Sequence, residues 1–370
     1  MWVSDLSLRD FRNHRETDIS LEPGVTTFVG SNGQGKTNLV EALGYLSHLG
    51  SHRVSSDKAL VREGASTATI RATVRHSERH VSLALAINAK GANRAKLGGQ
   101  SVSVGELMGW LRVVLFTPED LTIVRGEPGM RRKYLDEAVL TLSPQLHPVY
   151  SEYDRVIRQR NALLKSARGQ SAQSVSQNLE SWNEALIPLA AQITHNRHRV
   201  TAEVLPYLAA SYATIAPGHE IAWSLDTTVD SSLSYEDLEG AYRQQLSQRA
   251  KEEVDRGMTL VGPHRDDLEV TLNGLPSRTH SSHGEAWSIA LSLRLAIAQA
   301  YRVDSPSGDP VMILDDVFAE LDSSRRATLQ DVVSDYEQVL VTAAVSDDIP
   351  HGFSAHSFMV RAGEVTSHGS

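Results

Sequence analysis

An α/β fold with an antiparallel lobe, interrupted by a helical block, is what this sequence predicts. Three observations lead there. Short apolar runs stand near both ends of the chain, at Val25 to Val29 and, unbroken, in "PVMILDD" and "QVLVTAA"; the unbroken ones suit parallel strands buried on both faces. Apolar and polar residues alternate through "ATIRATVR" and "HVSLALAI", the period of antiparallel strands. From about Met130 to Asp255 the apolar residues recur instead at three- and four-residue steps, the period of amphipathic helices. The simplest arrangement joins residues 1–128 and 256–370 in one mixed-sheet domain, with 129–255 as a helical insertion.

Each element follows in order. "WVSDLSLRDF" alternates and reads as a strand, and Val25 to Val29 as a second, buried one. Lys36 to Leu49 reads as a helix with Leu39, Leu43 and Leu46 on one face and Gly50 as its stop. In the lobe, Ile70, Ala72 and Val74 face one way and Arg71, Thr73 and Arg75 the other, while Val81, Leu83, Leu85 and Ile87 share a face. "VVLF" (Val113–Phe116) is a strand. "MRRKYLDEAVLTL" and "VYSEYDRVIRQRNALL" are helices, and "ARGQSAQSVSQ" is a polar loop. In the long segment from Asn178 to about Ala213, Pro188 and Pro206 are expected to kink or break the helix. "SYEDLEGAYRQQL" opens a helix with a Ser-x-x-Asp start. "DDLEVTLNGLPS" is a strand running into an Asn273-Gly274 hairpin turn, and "WSIALSLRLAIAQAY" is a long apolar helix.

Composition narrows the function. The 370 residues allow two or three domains, and 41% hydrophobic with 22% charged residues is ordinary for a soluble chain. No apolar run is long enough to span a bilayer, and the N-terminus does not resemble a secretory signal. With no cysteine there are no disulfides, thiolate zinc sites or thiol catalysis, and together these features favour the cytoplasm. A net charge of −9 argues against a wholly basic nucleic-acid coat. From Gly50 to Arg112, however, ten Lys/Arg stand against four Asp/Glu. Such a basic lobe can hold DNA locally, since phosphate attraction acts within about 8–10 Å. Arg71 and Arg75 therefore have two readings, a solvated sheet face or a DNA-facing surface.

The strongest motif is "GSNGQGKTN", Gly30 to Asn38, in which Gly30-x-x-x-x-Gly35-Lys36-Thr37 is a complete P-loop between a buried strand and a helix. Gly30, Gly33 and Gly35 allow tight turning, so the backbone N–H groups of Ser31, Asn32 and Gln34 can point at phosphate together with the helix N-terminus. Lys36 would meet the β- and γ-phosphates, and Thr37 would hold Mg2+. "VMILDD" ends in Asp315 and Asp316; alone it is an ordinary buried strand. Beside a P-loop it assigns Asp315 to Mg2+ and Asp316 to the attacking water. Ser282, Gly284 and Glu285 in "SSHGEAW" open the long helix, and a simple N-cap is the plain reading. "GPHRDD" reads as a turn with local ion pairs or as support for that region. The run Arg155, Arg158, Arg160, Lys165 and Arg168 reads as a solvated helix face or a partner surface.

These residues resemble one family. "SNGQGKTNLVEAL", "LRDFRNH", "GSHR", "LFTPEDL", "RRKYLDEAV", "RQRNALL", "VGPHRDDL", "SSHGEAWSIALSLRLA" and "ILDDVFAELD" are similar, in order and spacing, to the RecF recombination-repair proteins, ABC-type ATPases related to Rad50 and the SMC proteins. The resemblance implies an ABC-type head in which Ser282 and the following helix N-terminus act as the signature. There they would bind the γ-phosphate of an ATP held by a second subunit, with Asp322 in the D-loop and Arg53 near the nucleotide. It implies a slow, DNA-stimulated ATPase that forms an ATP-dependent homodimer on double-stranded and gapped DNA and works with RecR, RecO and RecA. A transporter's ATP-binding subunit is the alternative, with no membrane contact in the leading reading. Departures from the ABC pattern are Asp316 where glutamate is usual, no switch histidine after "QVLVTAA" with Thr342 the nearest polar residue, and Glu119 in place of the Q-loop glutamine.

Overall fold

The computed structural model describes residues 1–54, 56–167, 172–304 and 308–367, with the backbone alone for 172–178 and 304. It divides into two compact units: Met1–Leu121, Ala210–Gly218 and His283–Ser370 form one, Thr122–Ala209 and His219–Ser282 the other.

The first unit opens with β1 (Trp2–Phe11), β2 (His14–Ser20) and β3 (Gly24–Val29), then α1 (Lys36–His48). β4 (Thr67–His76), β5 (Arg79–Asn88), β6 (Arg94–Leu97), β7 (Gln100–Val102) and β8 (Val113–Phe116) follow. Helix α1 is buried on nearly every side, from Lys36 through Leu39, Leu43 and Ser47, as expected of a helix held between layers rather than lying on a surface. It touches β4 of one sheet and β8 of another. Its stop differs from the expectation. Leu49 itself takes the left-handed C-cap position at φ 53, and its N–H donates to the Tyr45 carbonyl.

The second unit contains α2 (Leu121–Arg125), α3 (Pro128–Leu142), α4 (His147–Ser166) and α5 (Ala172–Ile215), whose residues from Ala210 belong to the first unit. Then come β9 (Ile221–Asp226), α6 (Tyr235–Arg256), β10 (Asp267–Leu272), β11 (Leu275–Pro276) and α7 (Ser277–His280). Helix α5 continues through Pro188 and Pro206, where a kink or a break was expected; it does not break. Leu186, Ile187, Ala190 and Ala191 of this helix pack with Tyr153, Val156 and Tyr242 in one core, and that burial outweighs the few ladder bonds that proline removes. Of the expected polar loop, 168–171 lie outside the described residues, and Ala172 onward is helical.

Residues 256–282 were expected in the head but fall in this second unit. The reason is β9, a strand inside the block read as mostly helical, which pairs antiparallel with β10 from Asp226↔Asp267 to Ile221↔Leu272. The Asn273-Gly274 turn forms as expected, with φ 51 and 75. "GPHRDD" is a turn whose ion pairs are distant in sequence: Asp266 meets Arg197 at 3.1 Å and Asp267 meets Arg131 at 2.7 Å. Arg160 is not on a solvated face; it is 1% exposed and paired with Glu253 at 2.6 Å. Arg168 lies outside the described residues.

The first unit resumes with α8 (His283–Asp304), β12 (Val311–Asp315), α9 (Ser323–Ser334), β13 (Gln338–Ala343), β14 (His356–Arg361) and β15 (Glu364–Ser367). Its two six-stranded sheets run in the orders β2-β1-β4-β5-β6-β7 and β15-β14-β3-β13-β12-β8. The first is antiparallel throughout, as the alternation requires. In the second, β14, β3, β13, β12 and β8 are parallel, and β15 alone returns antiparallel. The continuous apolar runs are the fully buried strands β8, β12 and β13. The fold is α/β, with a mixed sheet, an antiparallel lobe and a largely helical insertion.

Candidate nucleotide-binding site

The loop 30–35 joins the end of buried β3 to the N-terminus of buried α1, at the carboxyl edge of the parallel sheet, the usual location of ligand sites in such sheets. Its glycines answer to different constraints. At Gly30 a Cβ would overlap the backbone carbonyl oxygen of Val360 in β14, so the residue is fixed by close approach rather than by an unusual turn. Gly35, the N-cap of α1, has φ 116, and a Cβ there would meet Asn13 Oδ1 at 2.7 Å and His14 Nε2 at 2.9 Å. Ser31 and Asn32 are exposed.

The scaffold behind the loop comes from both ends of the chain. Asn13 Nδ2 donates to the Gln34 carbonyl (2.9 Å), and the Gly363 N–H donates to the same oxygen (2.9 Å). His14 is fully buried, with Nε2 3.0 Å from the Gly35 carbonyl and Nδ1 2.9 Å from the Gly363 carbonyl. Burial pushes its pKa below the ordinary histidine value. The Gln34 side chain, counted among phosphate-loop residues by the motif, accepts from Ala362 N–H at 2.7 Å and so faces the β14–β15 turn. Asn38 Nδ2 donates to Asn13 Oδ1 (2.7 Å), and Asn38 Oδ1 accepts from Arg53 Nη1 (2.9 Å). Arg53 also lies 3.6 Å from Glu41, a fully buried carboxylate clasped by Arg12 at 2.6 Å. Asn13 and His14 entered the sequence reading only as the end of "LRDFRNH", with no role assigned, and Gly363 not at all; no local pattern reveals a contact made across some 350 residues of chain.

The two aspartates close the site. Thr37 Oγ1 donates to Asp315 Oδ1 at 3.0 Å, and Thr342 Oγ1 donates to the same oxygen at 2.6 Å. Burial pushes the Asp315 carboxyl up to about 6; the Thr342 and Thr37 hydroxyls oppose the rise, while the charges of Asp316 and Glu119 add to it. Glu119, on a single 3₁₀ turn directly after β8, therefore lies close enough to be felt at this centre. Lys36 is 3% exposed, and its ammonium stands 3.8 Å from Asp316 Oδ1. Asp316 has φ 52, a left-handed backbone in a residue other than glycine, of the kind that gathers at functional sites. Its Oδ1 is buried without a hydrogen-bond partner. A buried cation, a helix N-terminus, a hydroxyl–carboxylate pair and an unsatisfied acceptor are the groups a nucleoside triphosphate with Mg2+ would use. Among the described residues no group of three or more His, Asp or Glu is arranged to hold a metal by itself.

A second cluster begins α8. Ser282 is exposed and immediately precedes the helix, whose first turn carries Gly284 and Glu285. Over Gly284 lies the guanidinium of Arg325, 3.1 Å from where a Cβ would be. Arg325 also donates to Ser288 Oγ (3.2 Å) and Asp322 Oδ2 (2.6 Å), and Asp322 caps α9 by accepting from Arg325 N–H. The start of α8 and the segment before α9 are thus tied within one chain through Arg325, which no sequence motif had singled out.

On the antiparallel lobe, Arg71 and Arg75 are both exposed on β4, opposite the buried Ile70, Ala72 and Val74. Arg75 stacks over Trp2 with 5.6 Å to the ring centroid. Arg71 stands opposite Ala84 of β5, and Ala84 stands opposite Lys96 of β6.

Residues 2–358 match the family described as RecF/RecN/SMC N terminal domain. A DNA replication and repair protein RecF of Clavibacter sepedonicus is 45% identical over 387 residues, covering 99% of this chain and 95% of that one. The protein of the same name in Streptomyces avermitilis is 45% identical over 376 residues, with 99% of each covered. The chain belongs to the RecF family. A solved structure of the recombination mediator protein RecF-ATPrS in the RecFOR pathway superposes with a TM-score of 0.90 at 26% identity, covering 100% of this chain and 98% of that one. An Smc head bound to the C-winged helix domain of ScpA, 16% identical with a TM-score of 0.57, shares the fold. RecF membership makes this a DNA replication and repair protein of the ABC-type ATPase class, and the transporter alternative is not favoured. No helix among the described residues is long and apolar enough to cross a membrane.

Proposed function

We propose that the protein is an ATP-dependent DNA-binding ATPase of recombinational gap repair, working in the cytoplasm. One observation carries the reading: Thr37 and Asp315 are hydrogen-bonded across the P-loop while Lys36 and the unsatisfied Asp316 Oδ1 stand beside them. The backbone of the loop and α1 would bind the phosphates, Lys36 would offset their charge, and Asp316 would orient the attacking water. Mg2+, resting on Thr37 and Asp315, would draw charge from the phosphate oxygens.

ATP would act as a clamp. Ser282, Gly284 and Glu285 of one copy would complete the pocket of another, so that ATP selectively stabilises a closed homodimer. The dimer would hold double-stranded or gapped DNA, with Arg71 and Arg75 among the residues that meet its phosphates and Arg53 near the nucleotide. Hydrolysis would be slow and stimulated by DNA, and RecR, RecO and RecA would be functional partners. The solved relative described as belonging to the RecFOR pathway supports the partner assignment. Turnover of Asp316→Asn tests the site. It should fall about a hundredfold or more while ATP-bound dimers persist, since removing one preorganised electrostatic group from a closed site costs about 10²–10³-fold in kcat. Unchanged turnover removes Asp316 from the chemistry.

A further inference from the structure

We infer that Thr342 is a positioning residue for hydrolysis, acting through the backbone of Asp316. The inference rests on the reading of Asp316 just given. Thr342 ends neither a loop nor an exposed turn. It lies on β13, is 0% exposed, and pairs with Asp315 of β12 on one side and Phe28 of β3 on the other. Its hydroxyl has one hydrogen and directs it to Asp315 Oδ1 at 2.6 Å. The oxygen is thereby turned to accept from the Asp316 N–H at 2.9 Å. One side-chain atom therefore fixes two consecutive acidic residues in different ways, gripping the carboxylate of the first and the main chain of the second.

The second grip matters because of what Asp316 does at that point. The strand ends at Asp315, and Asp316 turns into the left-handed region at φ 52. An L-residue enters that region only where its surroundings over-determine it. The turn directs the Asp316 side chain so that Oδ1 is buried, lacks a hydrogen-bond partner and lies 3.8 Å from the Lys36 ammonium. Without an acceptor for its N–H, Asp316 would gain by relaxing to an ordinary conformation and carrying Oδ1 away from Lys36. Asp315 would keep a second hydroxyl, that of Thr37 at 3.0 Å, so the damage would fall more heavily on Asp316. Valine at 342 preserves the β-branched shape of a buried strand residue and removes only the hydroxyl. Serine keeps the hydroxyl and removes only a methyl group.

A double-mutant cycle in the full-length protein separates this role from a merely structural one. Steady-state ATP hydrolysis is measured with saturating Mg2+, and affinity for a fluorescent ATP analogue in parallel. Thr342→Val is expected to lower kcat about tenfold, as for removal of one hydrogen bond that orients a reacting group, and to leave analogue affinity within about threefold. Thr342→Ser is expected to restore most of kcat. Adding Thr342→Val to Asp316→Asn is expected to cost nothing further, because both changes disable the same group. If Asp316→Asn slows turnover but Thr342→Val does not, or if their effects multiply, the inference is overturned and the reading of Asp316 stands. If Asp316→Asn leaves turnover unchanged, that reading falls and the inference falls with it.

Discussion

Replacing Gly30 and Gly33 by alanine, one at a time, should give unequal results although both belong to the same phosphate loop. At Gly33, φ is 80 and nothing lies within 4 Å of a Cβ. Alanine there costs the left-handed backbone penalty of about 1–2 kcal/mol, less about 0.4–1 kcal/mol regained from a stiffer unfolded chain, so about 1 kcal/mol net. At Gly30 the backbone is ordinary, but the new methyl would overlap the carbonyl oxygen of Val360. That oxygen is main chain, in a strand paired to β3 from His356↔Thr26 to Met359↔Val29, so it cannot swing aside as a side-chain tip would. Overpacking of this kind costs about 3 kcal/mol, roughly a 30-fold difference in local opening relative to Gly33→Ala. Hydrogen exchange of the nucleotide-free protein reads it directly. Amides of His356–Arg361 should exchange about 30-fold faster in Gly30→Ala than in Gly33→Ala. Equal protection in the two variants would refute the close-approach argument and return Gly30 to a turn-forming role.

The other predictions concern charge. Neutralising Arg71 and Arg75 together should weaken DNA binding and reduce its salt slope by about one unit for each phosphate no longer neutralised; unchanged binding would make that face merely solvated. His264 is held neutral by the geometry of the second unit, where its Nε2 lies 3.1 Å from the Thr259 carbonyl and its Nδ1 2.7 Å from the Tyr153 hydroxyl. Burial lowers its pKa to about 4, with the nearby arginines adding to the fall. A histidine whose folded pKa is depressed gives stability that is present above its unfolded pKa, near 6.5, and disappears as pH falls toward 4. His264→Gln should therefore flatten that part of the stability-against-pH curve, whose depth is about 3 kcal/mol for such a shift. An unaltered acid limb in urea titrations would show that His264 does not report on folding.

Much of the head was legible because its patterns are local. A strand buried on both faces needs an unbroken apolar run, and a strand with one wet face must alternate, so β4, β5, β8, β12 and β13 could be placed from sequence. The P-loop and the paired aspartates carried their chemistry in adjacent residues. What sequence withheld was long-range. Nothing near "EIAWSLD" announces that β9 will pair with β10 some forty residues later and draw 256–282 into the second unit. Helix α5 survives two prolines because tertiary burial overrides local propensity. Thr342 was visible only as a polar residue where a histidine was missing. Its role depends on β13 lying beside β12 in a register that sets Thr342 against Asp315. Arg160 sat in a run of basic residues that looked solvated until Glu253 appeared beside it.

The proposal stands or falls on nucleotide-driven pairing of two copies, and analytical ultracentrifugation measures that directly. With ATP and Mg2+ the protein should sediment as a dimer, and as a monomer with ADP or without nucleotide. Lys36→Ala, which removes the buried ammonium beside Asp316, and Ser282→Arg, which places bulk at the start of α8, should each remain monomeric in ATP. A dimer that forms equally in ATP, in ADP and in both variants would contradict the account, because pairing would then owe nothing to a triphosphate shared between two heads.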